Sequence, residues 1–277
     1  MRVAVALATS GLPPSEAEIL LATLLQKDRT WLLAHAHDEM RAGQEHLFGE
    51  WVARRKTHEP VAYIIGEKDF FGRTFAVDRR VLIPRPSTEV LVEETFRLID
   101  GGKPRMKTAD AGVVIVSRML RNAGALKTIV DVGTGSGAVA IILALERPDL
   151  AVIATDVSED TLDVARGNAR RHAVDGRLRF LGGMNLQPVA SLSEPFLLVS
   201  NPPYIPAGTP LMPDVALFEP HQALFGGSDG MTVLQTLVRE ARDHPFCAGI
   251  VLECLRKQAA RLFSSRKSEK TGRAKAP

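Results

Sequence analysis

The sequence predicts an α/β protein in which a doubly wound parallel sheet follows a small helical domain. Strand-like and helix-like segments alternate from residue 128 onward, beginning "TIVDVG", "GAVAIILALER", "AVIATD" and "SEDTLDVARGNARRHA". Alternation of this period is typical of parallel strands joined by helical crossovers. The glycine-rich string "GTGSG" stands where the first of these strands turns into the first helix. Residues 14–57 instead carry apolar residues at helical spacing, which predicts a helical domain with its own core.

The remaining segments complete a four-part organisation. After Pro60, the runs "VAYIIG", "DFFGRTFAVD" and "VLIPRP" are of β type, with a hairpin expected in the middle run. Helices are predicted at "STEVLVEETFRLI", "GVVIVSRMLRNA" and "GMTVLQTLVREARD", and further strands at "LRFLG", "FLLVS" and "GIVLEC". We therefore expect a helical domain over 1–67, a hairpin linker over 68–83, the α/β domain over 84–255 and a basic, flexible tail over 256–277.

Composition excludes several classes of protein. The chain has 277 residues, 45% hydrophobic and 24% charged, and no apolar run approaches the ~20 residues of a membrane span. Two cysteines are too few for a disulfide framework, so a cytoplasmic location is expected. The sequence pI is about 9.0, but the basic excess lies in the 256–277 segment, and acidic residues outnumber basic ones elsewhere. No membrane partner and no direct DNA binding are expected, while the basic tail could contact RNA.

The "GTGSG" string has the composition of a nucleotide-binding turn. Glycines at 133, 135 and 137 allow a tight turn and let a ligand lie against backbone and a helix N-terminus. Asp156 closes the second strand, where a carboxylate can bind ribose hydroxyls. These features alone do not separate a nicotinamide cofactor from S-adenosylmethionine.

The stretch "SNPPYIP", which follows a buried strand, favours S-adenosylmethionine. Pro202 and Pro203 end the strand and hold Asn201 in an extended conformation. An amide or ring amino nitrogen is a poor nucleophile because its lone pair is delocalised. The Asn201 side-chain oxygen and the Pro202 carbonyl could accept its N–H groups and turn the lone pair toward a methyl donor. The Tyr204 ring could cover the flat group, so the motif predicts methylation of a planar amino group.

Several motifs together resemble those of the release factor glutamine methyltransferases. They are "PSEAEILLA", "EPVAYIIGEKDFFGRTFAVDRRVLIPRPSTEVLVEE", "VDVGTGSGAVAI", "SNPPYIP" and "FEPHQALFGGSDGM", in the family's order over about residues 14–254. The resemblance implies a Rossmann-like class I methyltransferase fold and methylation of the glutamine in the Gly-Gly-Gln motif of class I peptide chain release factors. The helical domain would bind the release factor.

The resemblance also assigns roles to individual residues. The catalytic group would be Asn201, Pro202, Pro203 and Tyr204, which would receive the glutamine side chain. S-adenosyl-L-methionine would be held by Gly133, Thr134, Gly135, Ser136, Gly137, Asp156 and Asn201. Family members usually carry an acid near the adenine, in the loop after the third strand. Here Met184 and Asn185 stand in that region, and Asn185 would substitute as the hydrogen-bond partner.

The C-terminal segment departs from the family pattern. After "IVLEC" the family continues through a helix to two antiparallel strands, whereas this chain gives "LRKQAARLFSSRKSEKTGRAKAP", with almost no β-forming residues. The sequence therefore predicts a sheet of about five strands that lacks its final antiparallel strands and exposes an edge.

Two other functions remain compatible with these motifs. The chain could be an amino-group methylase of adenine or guanine in nucleic acid, since Asn-Pro-Pro-Tyr serves that chemistry too. It could also be a degenerate homologue that binds cofactor or partner without turnover, an alternative favoured by the missing strands. No metal site is expected.

Overall fold

The computed structural model describes residues 1–110, 112–120 and 126–263 of the chain. These residues form two compact units. The first comprises Met1–Pro84 and Thr209–Ala223, and the second comprises Arg85–Gly208 with the described part of Leu224–Pro277.

Helices and strands follow one another along the chain in this order. They are α1 (Val3–Thr9), α2 (Pro14–Leu25), α3 (Arg29–Ala34), α4 (Ala42–Lys56), α5 (Val61–Ile65), β1 (Glu67–Phe70), β2 (Arg73–Ala76), α6 (Pro86–Ile99), β3 (Met106–Asp110), β4 (Val113–Met119), β5 (Thr128–Val132), α7 (Ala138–Glu146), β6 (Ala151–Asp156), α8 (Glu159–Arg171), β7 (Leu178–Gly182), β8 (Phe196–Ser200), α9 (Pro213–Phe218), α10 (Thr232–Asp243), β9 (Cys247–Leu255) and α11 (Arg256–Phe263).

The first unit is helical, with one small hairpin. Its helices bury an apolar cluster that includes Leu20, Leu21, Leu32 and Phe48, and β1 pairs with β2 in antiparallel register. The run "VAYIIG", predicted as a strand, is instead the short helix α5, which ends at Gly66 with φ of 81°. Its isoleucines pack against the helical core, so burial there outweighs their strand preference.

The second unit contains a seven-stranded mixed sheet in the order β3-β4-β9-β8-β5-β6-β7. The strands β9, β8, β5, β6 and β7 are parallel to one another, as the alternating pattern predicts. From β5 the chain builds outward through β6 and β7, then returns to place β8 on the other side of β5. Loops that follow β5 and β8 therefore diverge at a switch point, where ligands of such sheets bind.

The expected sheet of about five strands with an exposed edge beside β9 is corrected to seven strands, although no strand follows β9 within the described residues, as the sequence predicts. Two antiparallel strands, β3 and β4, precede β5 in the chain, and β4 covers the edge of β9 from Val113 to Met119. The segment "GVVIVSRMLRNA", predicted as a helix, contains β4, and its residues 121–123 lie outside the described part. Consecutive β-branched residues, buried at Val114 and Ile115, favour the strand. The edge of β9 is therefore paired rather than exposed, which removes one of the consequences expected from the atypical C-terminal segment.

The basic segment differs from its prediction as well. Residues 256–263 form helix α11, in which Gln258, Ala259 and Leu262 are buried while Arg256 and Lys257 are exposed. A buried face at this spacing is typical of an amphipathic helix, and the abundance of Lys and Arg obscured it in the sequence. The rest of the expected tail, residues 264–277, lies outside the described residues.

Candidate functional site

The glycine loop at the end of β5 is shaped by backbone conformation. Gly133, Gly135 and Gly137 have φ of 72°, 58° and 81°, values that favour glycine. A Cβ at Gly133 or Gly135 would meet open space, whereas at Gly137 it would lie 3.0 Å from Ala165 Cβ. The first two positions therefore leave room beside the loop, and the third lets α7 approach α8.

The buried carboxylate of Asp131 is hydrogen-bonded to this loop. Asp131 Oδ2 accepts a hydrogen bond of 2.7 Å from the Thr134 hydroxyl. Burial, with a smaller contribution from the charge of Asp156, raises the pKa of Asp131 to about 7, although hydrogen bonds from Thr134 and the Ala140 amide oppose the shift. The Ser136 carbonyl is fixed in turn by the buried Asn168 amide at 2.8 Å.

Asp156 lies at the end of β6, beside the glycine loop. Its Oδ2 accepts from the Gly135 amide and its Oδ1 from the Ser158 amide, each at 3.1 Å. Burial raises the pKa of Asp156, and these backbone hydrogen bonds oppose the rise. The carboxylate is thus held at the rim of the loop, in position to accept further hydrogen bonds from hydroxyl groups.

The loop after β7 approaches Asp156 through backbone contacts. The Gly183 amide donates to the Asp156 carbonyl at 2.9 Å, and the Leu186 amide donates to Glu240 at 3.0 Å. Between these anchors, Met184 is 61% exposed and Asn185 has a left-handed φ of 51°. Both side chains therefore belong to a fixed loop at the same edge of the sheet as Asp156.

The Asn-Pro-Pro-Tyr segment begins where β8 ends. The Ser200 hydroxyl donates to the Val132 carbonyl at 2.6 Å, so the ends of β8 and β5 are joined. Asn201 Nδ2 donates to Thr88 Oγ1 at 3.0 Å. Thr88 lies in the first turn of α6, and the contact fixes which side of the Asn201 amide faces that helix.

A second buried carboxylate, Glu253 on β9, organises this segment. Its oxygens accept hydrogen bonds from the Thr88 and Tyr204 hydroxyls, each at 2.9 Å, and from Ser87 at 3.4 Å. Burial raises the pKa of Glu253, while the three hydroxyls and the charge of Arg85 oppose the rise. The pKa of Tyr204 is also raised, first by burial and then by the charge of Glu253. The Tyr204 hydroxyl is therefore a donor here.

Glycines let a neighbouring loop lie against the backbone of the Asn-Pro-Pro-Tyr segment. A Cβ on Gly226 would stand 2.3 Å from the Pro203 carbonyl oxygen, and one on Gly230 would stand 2.1 Å from that of Tyr204. Gln258 of α11 donates to the Tyr204 carbonyl at 2.8 Å. The segment is consequently held by contacts on several elements of the second unit.

The structure thus brings the predicted residues to one edge of the sheet. The glycine loop, Asp156, the 184–185 pair and Asn201–Tyr204 follow the carboxyl ends of β5, β6, β7 and β8 respectively. Thr88, Glu253 and Gln258 are not among the residues predicted individually from the sequence, although the family motif that contains Thr88, "IPRPSTE", is expected near the methionine end of the cofactor. A signal for Glu253 was available, because a carboxylate inside the apolar run "GIVLEC" is rarely buried without a partner.

The described ranges contain neither a helix suited to a membrane nor a group of side chains suited to a metal ion. Among residues 1–110, 112–120 and 126–263, no helix combines the length and apolarity needed to cross a membrane. The same residues include no cluster of three or more His, Cys, Asp or Glu side chains placed to hold a metal ion.

Comparisons with known proteins agree with the resemblance seen in the motifs. A family model described as the PrmC N-terminal domain matches residues 2–66, and one described as the methyltransferase small domain matches residues 105–215. A release factor glutamine methyltransferase of Staphylococcus aureus is 36% identical over 83% of this chain and 74% of its own length. Those of Nitratidesulfovibrio vulgaris and Bordetella pertussis are 38% and 37% identical, over 83% and 82% of this chain and 70% and 76% of their own lengths. The chain, with its class I methyltransferase fold, belongs to the release factor glutamine methyltransferase family.

Proposed function

We propose that the protein transfers a methyl group from S-adenosyl-L-methionine to the side-chain nitrogen, N5, of the glutamine in the Gly-Gly-Gln motif of class I peptide chain release factors. The observation that carries the proposal is the orientation of Asn201. Its Nδ2 donates to Thr88, which turns Oδ1 to the opposite side as an acceptor. A primary amide nitrogen is the kind of donor that such an acceptor binds.

Acceptors suit this substrate because an amide nitrogen needs orientation more than it needs a base. Asn201 Oδ1 and the Pro202 carbonyl would each accept one N–H of the glutamine amide, which fixes the amide plane so that the lone pair, perpendicular to it, faces the methyl donor. The Tyr204 ring would cover the flat group, and its hydroxyl is held by Glu253. When the N–CH3 bond forms, the nitrogen must lose one N–H proton, which the acidic methylated amide cation can give to water. Positioning by neutral acceptors therefore replaces a charged general base.

The loops on the other side of the site fit the methyl donor. Open space beside Gly133 and Gly135 gives a ligand room against the backbone, and the Asp156 carboxylate suits ribose hydroxyls. Thr134, Ser136 and Gly137 would complete this wall, and Met184 and Asn185 would face the adenine. When bound, S-adenosyl-L-methionine supplies an electrophilic methyl group, while the chain supplies the positions of both reactants.

The names of the relatives support a release factor as the protein substrate. Curated relatives from several bacteria are described as release factor glutamine methyltransferases, and the N-terminal family model covers the helical unit. We assign that unit to recognition of the release factor. The reaction is placed in the cytoplasm, where release factors act.

A methyl-transfer assay tests the proposal. The purified chain would be incubated with methyl-labelled S-adenosyl-L-methionine and one of four acceptors: a class I release factor, the same factor with its Gly-Gly-Gln glutamine replaced by alanine, duplex DNA, or ribosomal RNA. We expect label only in the first. Label in either nucleic acid, or equal labelling of the two release factors, would contradict the assignment.

A further inference from the structure

Glu253 occupies a position unusual for a charged residue. It lies in the apolar strand β9, it is fully buried, and its carboxylate accepts from hydroxyls on two separate segments of the chain. Two of the donors, Ser87 and Thr88, belong to the first turn of α6, where the helix dipole favours a negative charge. The carboxylate therefore connects α6 with the Asn-Pro-Pro-Tyr segment.

We propose that Glu253 and Thr88 are positioning residues that fix the amide of Asn201 in the orientation required for substrate binding. The inference rests on the proposed function for its chemistry, since it concerns the acceptor that would bind the glutamine amide. Neither residue is placed in contact with the substrate: Thr88 acts through Asn201, and Glu253 acts through Thr88 and Tyr204.

The direction of each hydrogen bond follows from proton counting. A hydroxyl carries one proton, and Thr88 commits it to Glu253 Oε2 at 2.9 Å. Thr88 Oγ1 can therefore only accept a hydrogen bond from Asn201. The side of the amide that faces Thr88 must be the donor, Nδ2. An Asn201 amide flipped by 180° would put two acceptors against each other. Glu253 thus dictates, through one hydroxyl, that Oδ1 faces away from α6.

The same carboxylate fixes the second substrate-facing group. Its other oxygen, Oε1, accepts from the Tyr204 hydroxyl at 2.9 Å, which sets the position of the ring. One buried side chain therefore holds both the acceptor amide and the ring that would cover the substrate. This arrangement is preorganisation by a supporting residue, in which small misplacements are expected to lower turnover steeply.

The sharpest test replaces Thr88 rather than Glu253. Thr88→Val keeps the shape but removes the hydroxyl, and Thr88→Ser restores it. Thr95→Val is a matched control on the same helix, because buried Thr95 donates only to the Leu91 carbonyl. We expect Thr88→Val to lower kcat by about 100-fold, with the Kd for S-adenosylmethionine and the Tm close to those of Thr95→Val. Thr88→Ser should recover most of the turnover.

A double variant separates positioning from a merely structural role. If Thr88 acts through Asn201, Thr88→Val should slow the reaction no further in an Asn201→Ala background, so the two effects are not additive. Glu253→Gln should lower turnover in the same way, since its amide offers one acceptor where the carboxylate offers two. Additive losses, or full activity in Thr88→Val, would overturn the proposal.

A spectroscopic measurement tests the orientation without relying on turnover. The chain's asparagines are Asn122, Asn168, Asn185 and Asn201, so selective ¹⁵N labelling gives few side-chain amide signals, and Asn201→Ala identifies the relevant one. Its hydrogen exchange should be slow in the parent and in Thr95→Val, and fast in Thr88→Val. Unchanged exchange would contradict the inference. If the parent does not label a release factor, the proposed function fails, while the exchange result still decides how Asn201 is held.

Discussion

The loops that follow β5 and β8 lie at the ends of adjacent parallel strands, but they are held in place by different kinds of contact. Gly133–Gly137 is shaped by its own backbone, with left-handed φ at three glycines, and its carboxylate Asp131 lies three positions from its partner Thr134. Asn201 and Tyr204 depend on residues distant in sequence. Their partners Thr88, Glu253 and Gln258 are 113, 49 and 54 positions away.

This difference separates what is general in the site from what is specific. The other partners of the glycine loop, Asp156 and Asn168, lie 21 and 32 positions away but still within the next strand and helix, β6 and α8. A loop held by its own strand–helix neighbours can bind the same cofactor in many methyltransferases, because it needs little from the rest of the fold. A loop fixed by remote side chains can be adjusted to one kind of acceptor by changing those partners. The glycine loop would therefore govern cofactor affinity, and the network around Glu253 would govern the geometry of transfer.

The largest expected effect is that of Asn201→Ala on the remotely supported loop. We expect turnover to fall by roughly 10²–10³-fold, the scale seen when one preorganised polar group is removed from a transition state. Asn201→Asp keeps an acceptor oxygen but cannot donate to Thr88, so it should retain partial activity. A single-turnover assay measures the rate of methyl transfer, and an equilibrium titration measures the affinity for the cofactor, so the two effects can be separated. A parent-like rate for Asn201→Ala would show that the motif is only a turn.

The next effect concerns Asp131 beneath the glycine loop. Because burial raises its pKa to about 7, the folded state binds this proton more tightly than the unfolded state, and stability falls as pH rises from about 4 to about 7. Asp131→Asn does not titrate. The free energy of unfolding of Asp131→Asn, relative to that of the parent, should therefore increase by about 2–3 kcal/mol between pH 5 and pH 8. The Tm of the variant should rise relative to that of the parent over the same range. A difference in Tm that is the same at both pH values would contradict the buried, proton-binding carboxylate.

Asp156 tests the cofactor side directly. Asp156→Ala should weaken S-adenosylmethionine binding by roughly 1–3 kcal/mol, through loss of charge-assisted hydrogen bonds to the ribose. Asp163→Ala is the control, because Asp163 is an exposed carboxylate on the following helix. Isothermal titration measures both. Equal affinities in the two variants would remove Asp156 from the site. Tight NADH binding with none for the methyl donor would instead overturn the assignment of the cofactor.

The two loops also differ in how far the sequence predicts them. The glycine loop, Asp156 and the parallel strands follow from short patterns, since each is marked by its own residue types and spacing. The strand β4 and helix α11 were missed because tertiary pairing with β9 and packing on the sheet decided their conformation. Thr88 and Glu253 meet only because α6 packs against β9. No local pattern contains that contact, although a carboxylate in an apolar strand marks one of its members.

The smallest expected effect, a glycine replacement, separates backbone strain from ligand space. Gly133 and Gly72 have nearly the same φ, 72° and 70°, and a Cβ at either position would meet open space. Gly133→Ala and Gly72→Ala should therefore cost about the same stability, about 1 kcal/mol, from the left-handed conformation. Only Gly133 borders the proposed cofactor site, so only Gly133→Ala should also weaken S-adenosylmethionine binding. Thermal unfolding and titration of both variants measure the two effects. If the variants lose stability equally and bind the cofactor equally, the open space beside Gly133 does not belong to the cofactor, and the backbone loop would have to bind it elsewhere.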